Sequence, residues 1–196
     1  YRRQRQMCIR DRIMEVYNKF PFEEIIIHPR TRVQLYKGEP DMKAFDYAYQ
    51  VSKNPLCFNG NIFTVEDYEN IVSRYDIDSV MLGRGLLRNL NLANEIKLKE
   101  EQKVNNFFVK NSIQHRANNK DRSVSKEIIR AFHDKLYADF SEEMSSDRHL
   151  LNKMIEMWNY LSFMSIDQHK CAKLIRKAQS VFKYEKAVNE IFDNLM

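Results

Sequence analysis

The chain has 196 residues, 43% hydrophobic and 30% charged, which allows one or two folded domains. No apolar run approaches the roughly 18 residues a membrane helix needs, and no apolar stretch follows the N-terminal charges as in a secretory signal. The net charge of +5 is uneven: residues 1–12 carry five arginines against Asp11, residues 13–97 ten basic and twelve acidic side chains, and residues 98–196 seventeen basic and fourteen acidic.

Residues 1–12 (YRRQRQMCIRDR) show neither apolar periodicity nor capping logic. They resemble translated adapter sequence and are expected to be a non-native basic tail that packs on nothing. From Ile13 the pattern changes. Ile13, Val16, Tyr17 and Phe20 fall at helical spacing and mark the end of a helix closed by Pro21. Glu24–His28 (EIIIH) is a short apolar run with a polar end, as in a buried parallel strand. A loop and a helix near Met42–Lys53 follow. Pro55–Phe58 is a second short run, ending at Asn59-Gly60. Thr64 then opens a helix with Asp67 as the partner of a capping box. Asp78–Leu82 is a third run, ending at Gly83-Arg84-Gly85. One further helix is expected from about Leu86 to Leu98.

This is strand, loop and helix three times over, which implies a parallel sheet. Three such units finish a barrel or form part of a doubly wound sheet. After Gly85 the chain has no glycine. Ser123–Phe140, Arg148–Phe163, Gln168–Gln179 and Lys183–Leu195 read as amphipathic helices, with Asn118–Arg122 as a polar break before them. Their apolar stripes predict a helical bundle. Its mildly basic surface can contact phosphates, although a solvated Lys-rich helix face gives the same charge pattern.

Three of the four glycines, Gly60, Gly83 and Gly85, lie just after predicted strands. Glycine there lets the backbone approach a ligand and adopt positive φ. Loops that lead into helix N-termini bind phosphate through backbone N–H groups. In (β/α)₈ barrels the loops after strands 7 and 8 form a common phosphate site. Asn59-Gly60-Asn61 and Gly83-Arg84-Gly85 have the spacing for those two loops, although two ordinary βα turns would look alike. His28 ends the first strand, and His28-Pro29-Arg30-Thr31-Arg32 places one imidazole and two guanidiniums within five residues, which suits an anionic ligand. The three cysteines, Cys8, Cys57 and Cys171, fit neither a metal-ligand set nor a disulfide framework. Cys57 lies inside a predicted strand and is expected in the core. No metal site and no catalytic residue is assigned.

Taken together, Ile27–Tyr36 (IHPRTRVQLY) with Gly38, Phe58–Ile62 (FNGNI), Val80–Leu87 (VMLGRGLL), Phe132–Phe140 (FHDKLYADF) and Lys153–Tyr160 (KMIEMWNY) resemble, in order and spacing, the tRNA-dihydrouridine synthases. The resemblance covers nearly all of the chain from about residue 13. It implies the C-terminal part of an FMN-binding (β/α)₈ TIM barrel over residues 13–98, a connecting segment over 99–122 and an all-α helical tRNA-binding domain over 123–196. It further implies FMN held by His28, Asn59, Gly60, Asn61, Gly83 and Arg84, and an RNA-facing rim made by Arg30, Thr31, Arg32 and Tyr36. The implied reaction is reduction of uridine in tRNA to 5,6-dihydrouridine with NADPH, in a cytoplasmic monomer without a membrane partner. The family's early strands and proton-donating cysteine have no counterpart in these residues, so this stretch alone is expected to be inactive. Asn61, Pro29 and Leu90 stand where the family often has an acidic residue or glycine, glycine, and proline respectively. Two other readings remain: a helical RNA-binding module without catalysis, and another FMN barrel acting on a small molecule.

Overall fold

A computed structural model describes residues 12–109 and 124–196. Residues 1–11 and 110–123, which include the polar break at 118–122, lie outside the described residues, and with them Cys8 and the expectation about the N-terminal tail. The fold is mixed α/β, mostly helical, with one small parallel sheet. It divides into two compact units, residues 1–83 and 84–196.

In the first unit, residues 12–17 are helical and end in a turn before Pro21. Met14 is the buried member of this helix, packed with Ile25, Ala48 and Leu56. The residues that signal the helix in the sequence, Ile13, Val16, Tyr17 and Phe20, are exposed. Strand β1 (Ile25–Ile27), helix α1 (Met42–Val51), strand β2 (Leu56–Asn59), helix α2 (Val65–Arg74) and strand β3 (Ser79–Met81) follow. The sheet order is β1-β2-β3, and both pairings are parallel. Parallel neighbours need a crossover, and each helix supplies one.

Both helices begin on local capping chemistry. The Asp41 side chain accepts the Ala44 N–H at 3.2 Å and opens α1. At α2 the expected capping box is complete: Asp67 N–H donates to Thr64 Oγ1 at 3.1 Å, and Thr64 N–H donates to Asp67 Oδ2 at 3.0 Å. α1 packs on the sheet through Phe45, in a cluster with Phe58, Ile62 and Tyr75, and Tyr68 and Ile71 of α2 pack against that cluster while only partly buried. The Phe45 ring meets Phe58 and Tyr75 edge-on at 5.0 and 4.9 Å between centroids, a favoured aromatic geometry. Tyr75 keeps its hydroxyl paired by donating to Asp46 at 2.6 Å. Burial and that carboxylate push its pKa up to about 12.

The second unit contains α3 (Arg84–Arg88), α4 (Leu92–Val109), α5 (Lys126–Glu143), α6 (Asp147–Leu161), a short 3₁₀ turn (Ser162–Met164), α7 (Gln168–Lys177) and α8 (Val181–Asn194). Two helices thus stand where the sequence pattern predicts one over Leu86–Leu98. The break has a local cause. The Asn89 side chain accepts the Asn91 N–H at 2.9 Å and donates to Glu95 at 3.0 Å, and this short polar side chain competes with the helical backbone for its own hydrogen bonds.

Helices α5 to α8 enclose one core, with Met154, Trp158, Leu161, Ile175, Val188 and Ile191 at most 2% exposed. A polar chain runs through it. Trp158 Nε1–H donates to Tyr184 Oη at 2.9 Å. Tyr184 Oη lies 2.7 Å from His133 Nε2, and His133 Nδ1 lies 2.8 Å from Asp134 Oδ1. With neutral His133 every group is satisfied: tyrosine donates to Nε2, and Nδ1–H donates to the carboxylate. This arrangement meets the rule that buried polar groups are hydrogen-bonded.

Candidate functional site

The parallel register fixes where chemistry can gather. Ile27 pairs with Phe58, and Asn59 pairs with Met81, so the C-terminal ends of all three strands meet at one edge. In parallel α/β sheets ligands bind beyond that edge. His28 leaves β1 there, Asn59 ends β2 there, and Gly83 follows β3 by two residues.

The first two of these ends are tied together. His28 Nδ1 lies 2.7 Å from the Asn59 carbonyl oxygen, so the ring donates that N–H and the exposed Nε2 is left to face solvent or ligand. The Asn59 amide nitrogen lies 3.3 Å from Met81 Sδ, which links the end of β2 to the end of β3. Gly83 is exposed, and an added Cβ there would meet nothing within 4 Å. Arg84, the next residue, begins α3 and is half-buried. Within the second unit, burial and the charge of Arg84 pull Arg88 below the usual guanidinium range, and Arg88 lies over the Phe163 ring at 4.1 Å.

The glycines behave differently from a simple turn reading. Gly38 alone among them has a left-handed backbone, with φ +67°. Gly60 does not. A Cβ there would collide with the ring of Phe58, which is only 1% exposed and has little room to retreat. Gly60 is therefore demanded by side-chain packing that shapes the β2 loop.

The loop after β1 is a closed structure. Asp41 N–H donates to the Pro29 carbonyl at 2.7 Å and closes its neck. Arg30 is half-buried inside. Its guanidinium donates to the carbonyls of Lys37 (3.0 Å) and Gly38 (2.6 Å), and across to Asn61 Oδ1 at 3.0 Å. Asn61 Nδ2 donates to Glu39 Oε2 at 3.0 Å. Thr31 Oγ1 accepts the Gln34 N–H at 3.2 Å. Thr31, Arg32 and Tyr36 are exposed on the loop, and the Tyr36 ring centre lies 6.4 Å from that of His28.

Residues 13–192 match the family described as "Dihydrouridine synthase (Dus)". The chain belongs to the dihydrouridine synthase family. Among similar proteins, one from Rhizobium leguminosarum bv. phaseoli named "Probable tRNA-dihydrouridine synthase" is 41% identical over 61 residues, 31% of this chain and 19% of that protein. The "tRNA-dihydrouridine(16) synthase" of Aquipseudomonas alcaligenes is 32% identical over 73 residues, 37% of this chain and 23% of its own length. The Escherichia coli O157:H7 protein of the same name is 33% identical over 78 residues, 39% of this chain and 25% of its own length. The matched part thus spans about a quarter or less of each of these relatives.

Of the residues expected at the site, the first unit gathers His28, Arg30, Asn59, Gly60, Asn61 and Gly83 around one sheet edge. Sequence reasoning did not pick out Gln34 and Glu39, which tie the loop from inside: Gln34 Nε2 donates to the carbonyls of Lys37 (3.2 Å) and Glu39 (2.7 Å). The one available signal was the Gly38-Glu39-Pro40-Asp41 run, a turn chemistry that announces a closed loop. Cys57 is 3% exposed and Cys171 is fully buried. Burial pushes the Cys57 thiol up, with a Ser79 hydrogen bond opposing and Glu24 adding to the rise. Burial likewise raises Cys171 to about 11. Both thiols are held protonated and away from solvent, opposite to a reactive cysteine.

Proposed function

We propose that this chain supplies the phosphate side of the flavin site and the RNA-gripping helices of a tRNA-dihydrouridine synthase, which reduces uridine in tRNA to 5,6-dihydrouridine at the expense of NADPH. The observation that carries the reading is the meeting of His28, Asn59–Asn61 and Gly83 at one carboxyl edge of a parallel sheet, in a chain whose family match runs from residue 13 to 192. Residues 13–98 are then the last βα units of a (β/α)₈ barrel, 99–122 a connector and 123–196 the tRNA-binding domain. The protein acts as a monomer in the cytoplasm.

The residues present fit FMN. Open space beside Gly83 and the cation of Arg84 suit a phosphate. The exposed His28 ring, fixed through Asn59, and the polar loop Asn59-Gly60-Asn61 suit the flavin's polar edge. The chemistry that FMN supplies when bound is hydride transfer, taken from NADPH and passed to the base, while the protein positions both partners. Arg84 neutralises phosphate charge. His28 presents Nε2 to the site while Nδ1 is held. The exposed rim of Thr31, Arg32 and Tyr36 faces the RNA, whose target base must leave its stack to be reached. The helical unit grips the folded RNA by shape and phosphate. Cys57 and Cys171 are both buried, and neither is placed to protonate the reduced base.

The test is made on the full-length protein. Arg84→Ala should weaken FMN binding by about 1.5–3 kcal/mol, the worth of one hydrogen bond to a charged group, read by flavin fluorescence titration. Unchanged affinity would remove Arg84 from the site. The full-length enzyme should form dihydrouridine on unmodified tRNA with NADPH, and residues 13–196 alone should not. tRNA binding without turnover by the full-length protein would favour a helical RNA-binding module. Turnover of a small molecule instead of tRNA would favour a different FMN barrel. Turnover by residues 13–196 would make Cys57 the first residue to mutate.

A further inference from the structure

We infer that Arg30 is a positioning residue: it locks the loop after β1 into one shape and fixes the Asn61 side chain, instead of meeting the RNA itself. The geometry is specific. The two terminal nitrogens of one guanidinium reach two successive carbonyls of the same loop, Lys37 and Gly38, and one of them also reaches Asn61 on the loop after β2. Only a planar fork spans acceptors in this way; an ammonium is a point donor. Arg30 is half-buried where it does so, while Arg32 is exposed.

The tie runs in both directions. Arg30 holds Asn61 Oδ1, and Asn61 Nδ2 holds Glu39 Oε2 at 3.0 Å. The amide of Asn61 is thereby oriented at both ends by the β1 loop. The loop that Arg30 closes also contains an unfavourable backbone. Leu35, an exposed non-glycine residue, has φ +48°, a conformation that persists only where the surroundings over-determine it. The carbonyls that Arg30 holds belong to the turn at Gly38, whose own φ is +67°. The loop tip formed by Arg32, Val33, Leu35 and Tyr36 is thus presented on a braced frame.

The role in catalysis rests on the proposed tRNA reaction; the clamp does not. The experiment therefore has two arms on the full-length protein. Hydrogen exchange of residues 31–39 tests the clamp. Arg30→Ala and Arg30→Lys should both speed exchange there by roughly tenfold or more, as expected when hydrogen bonds to a charged group are lost, and leave α1 unchanged. Native protection in Arg30→Lys would overturn the proposal, because charge alone would then suffice. The second arm is a double-mutant cycle of Arg30→Ala and Asn61→Ala on the KM for tRNA. A positioning role predicts strong non-additivity and a raised KM with kcat changed much less. Additive losses, with native loop exchange, would mean that Arg30 meets the RNA directly and would overturn the inference. If the wild-type protein makes no dihydrouridine while the exchange arm behaves as stated, the clamp stands and the functional reading falls.

Discussion

The two units bury their apolar residues by different means. In residues 84–196 four helices face one another, and their stripes merge into a single cluster around Trp158, Tyr184 and Ile191. Among the described residues of the first unit, the clustered buried residues form two small groups, one around Met14 and Ile25, the other around Phe45 and Phe58. Among the described residues, β1 and β3 are the outer strands of the three-stranded sheet, each paired on one side. Ile26 and Met81, on those two strands, are 48% and 38% exposed. A helix completes its backbone hydrogen bonds internally and needs only one covered stripe, whereas a parallel strand needs neighbours on both edges and cover on both faces.

The strongest way to break this comparison is to separate the units. Residues 84–196 expressed alone should show helical circular dichroism and cooperative unfolding in urea. Residues 13–83 alone should aggregate or lack a cooperative transition, because their open edges invite pairing with other chains. A monomeric, cooperatively unfolding 13–83 would mean that its two small clusters suffice.

A single substitution sharpens the same point. Trp158 is 1% exposed, meets the Phe192 ring edge-on at 6.1 Å and donates to Tyr184. Trp158→Ala should destabilise residues 84–196 by about 3–5 kcal/mol, the usual cost of truncating a buried aromatic side chain. Urea titration followed by circular dichroism measures it. A loss below about 1 kcal/mol would mean that the core collapses around the gap, against expectation for close-packed interiors.

The second unit should also respond to pH in a window set by His133. Burial lowers its pKa below 6.5, with the hydrogen bond and charge of Asp134 opposing and the charge of Arg130 assisting. The folded state therefore favours neutral imidazole, and the unfolded chain takes up the proton first. Stability is full above about pH 6.5 and falls as the pH drops toward the lower folded value. Asp134 titrates below its ordinary 3.8, so its contribution is lost at more acid pH and does not blur this window. Urea midpoints at pH 8 and pH 5 should differ in wild type and draw together in His133→Gln. A midpoint that rises on acidification would reverse the sign assigned to His133.

Much of this was legible in the sequence, for physical reasons that differ by residue. Short apolar runs with polar ends gave the three strands, and Thr64 with Asp67 gave the start of α2, because caps depend on neighbours in the chain. The break between α3 and α4 was hidden, since Leu86, Leu87, Leu90 and Leu92 keep an apolar rhythm straight through it. Gly60 looked like a turn or ligand glycine, and its constraint turned out to be the Phe58 ring, a matter of packing that spacing does not encode. Arg30 looked like a surface cation because two of its three partners are backbone carbonyls, and any residue type supplies those.

The smallest effect asks whether local signals in the first unit carry weight where the core is thin. Thr64 and Asp67 satisfy two backbone N–H groups at the start of α2, and Asp67 also accepts the Phe63 N–H at 2.9 Å. Glu66 and Asp67 place negative charge in the first turn, which the helix dipole favours. No residue of α2 is fully buried, so this helix relies on its cap more than the core helices of the second unit rely on theirs. Thr64→Ala should therefore cost about 1 kcal/mol in the full-length protein, and Thr64→Ser should cost little because the hydroxyl is kept. Ser180→Ala, at the cap of the well-buried α8, should register less in local hydrogen exchange, since the core keeps that helix in place. Equal opening of α2 and α8 in the two alanine variants would show that the cap of α2 matters no more than one backed by a full core, and the contrast between the units would then rest on sheet edges alone.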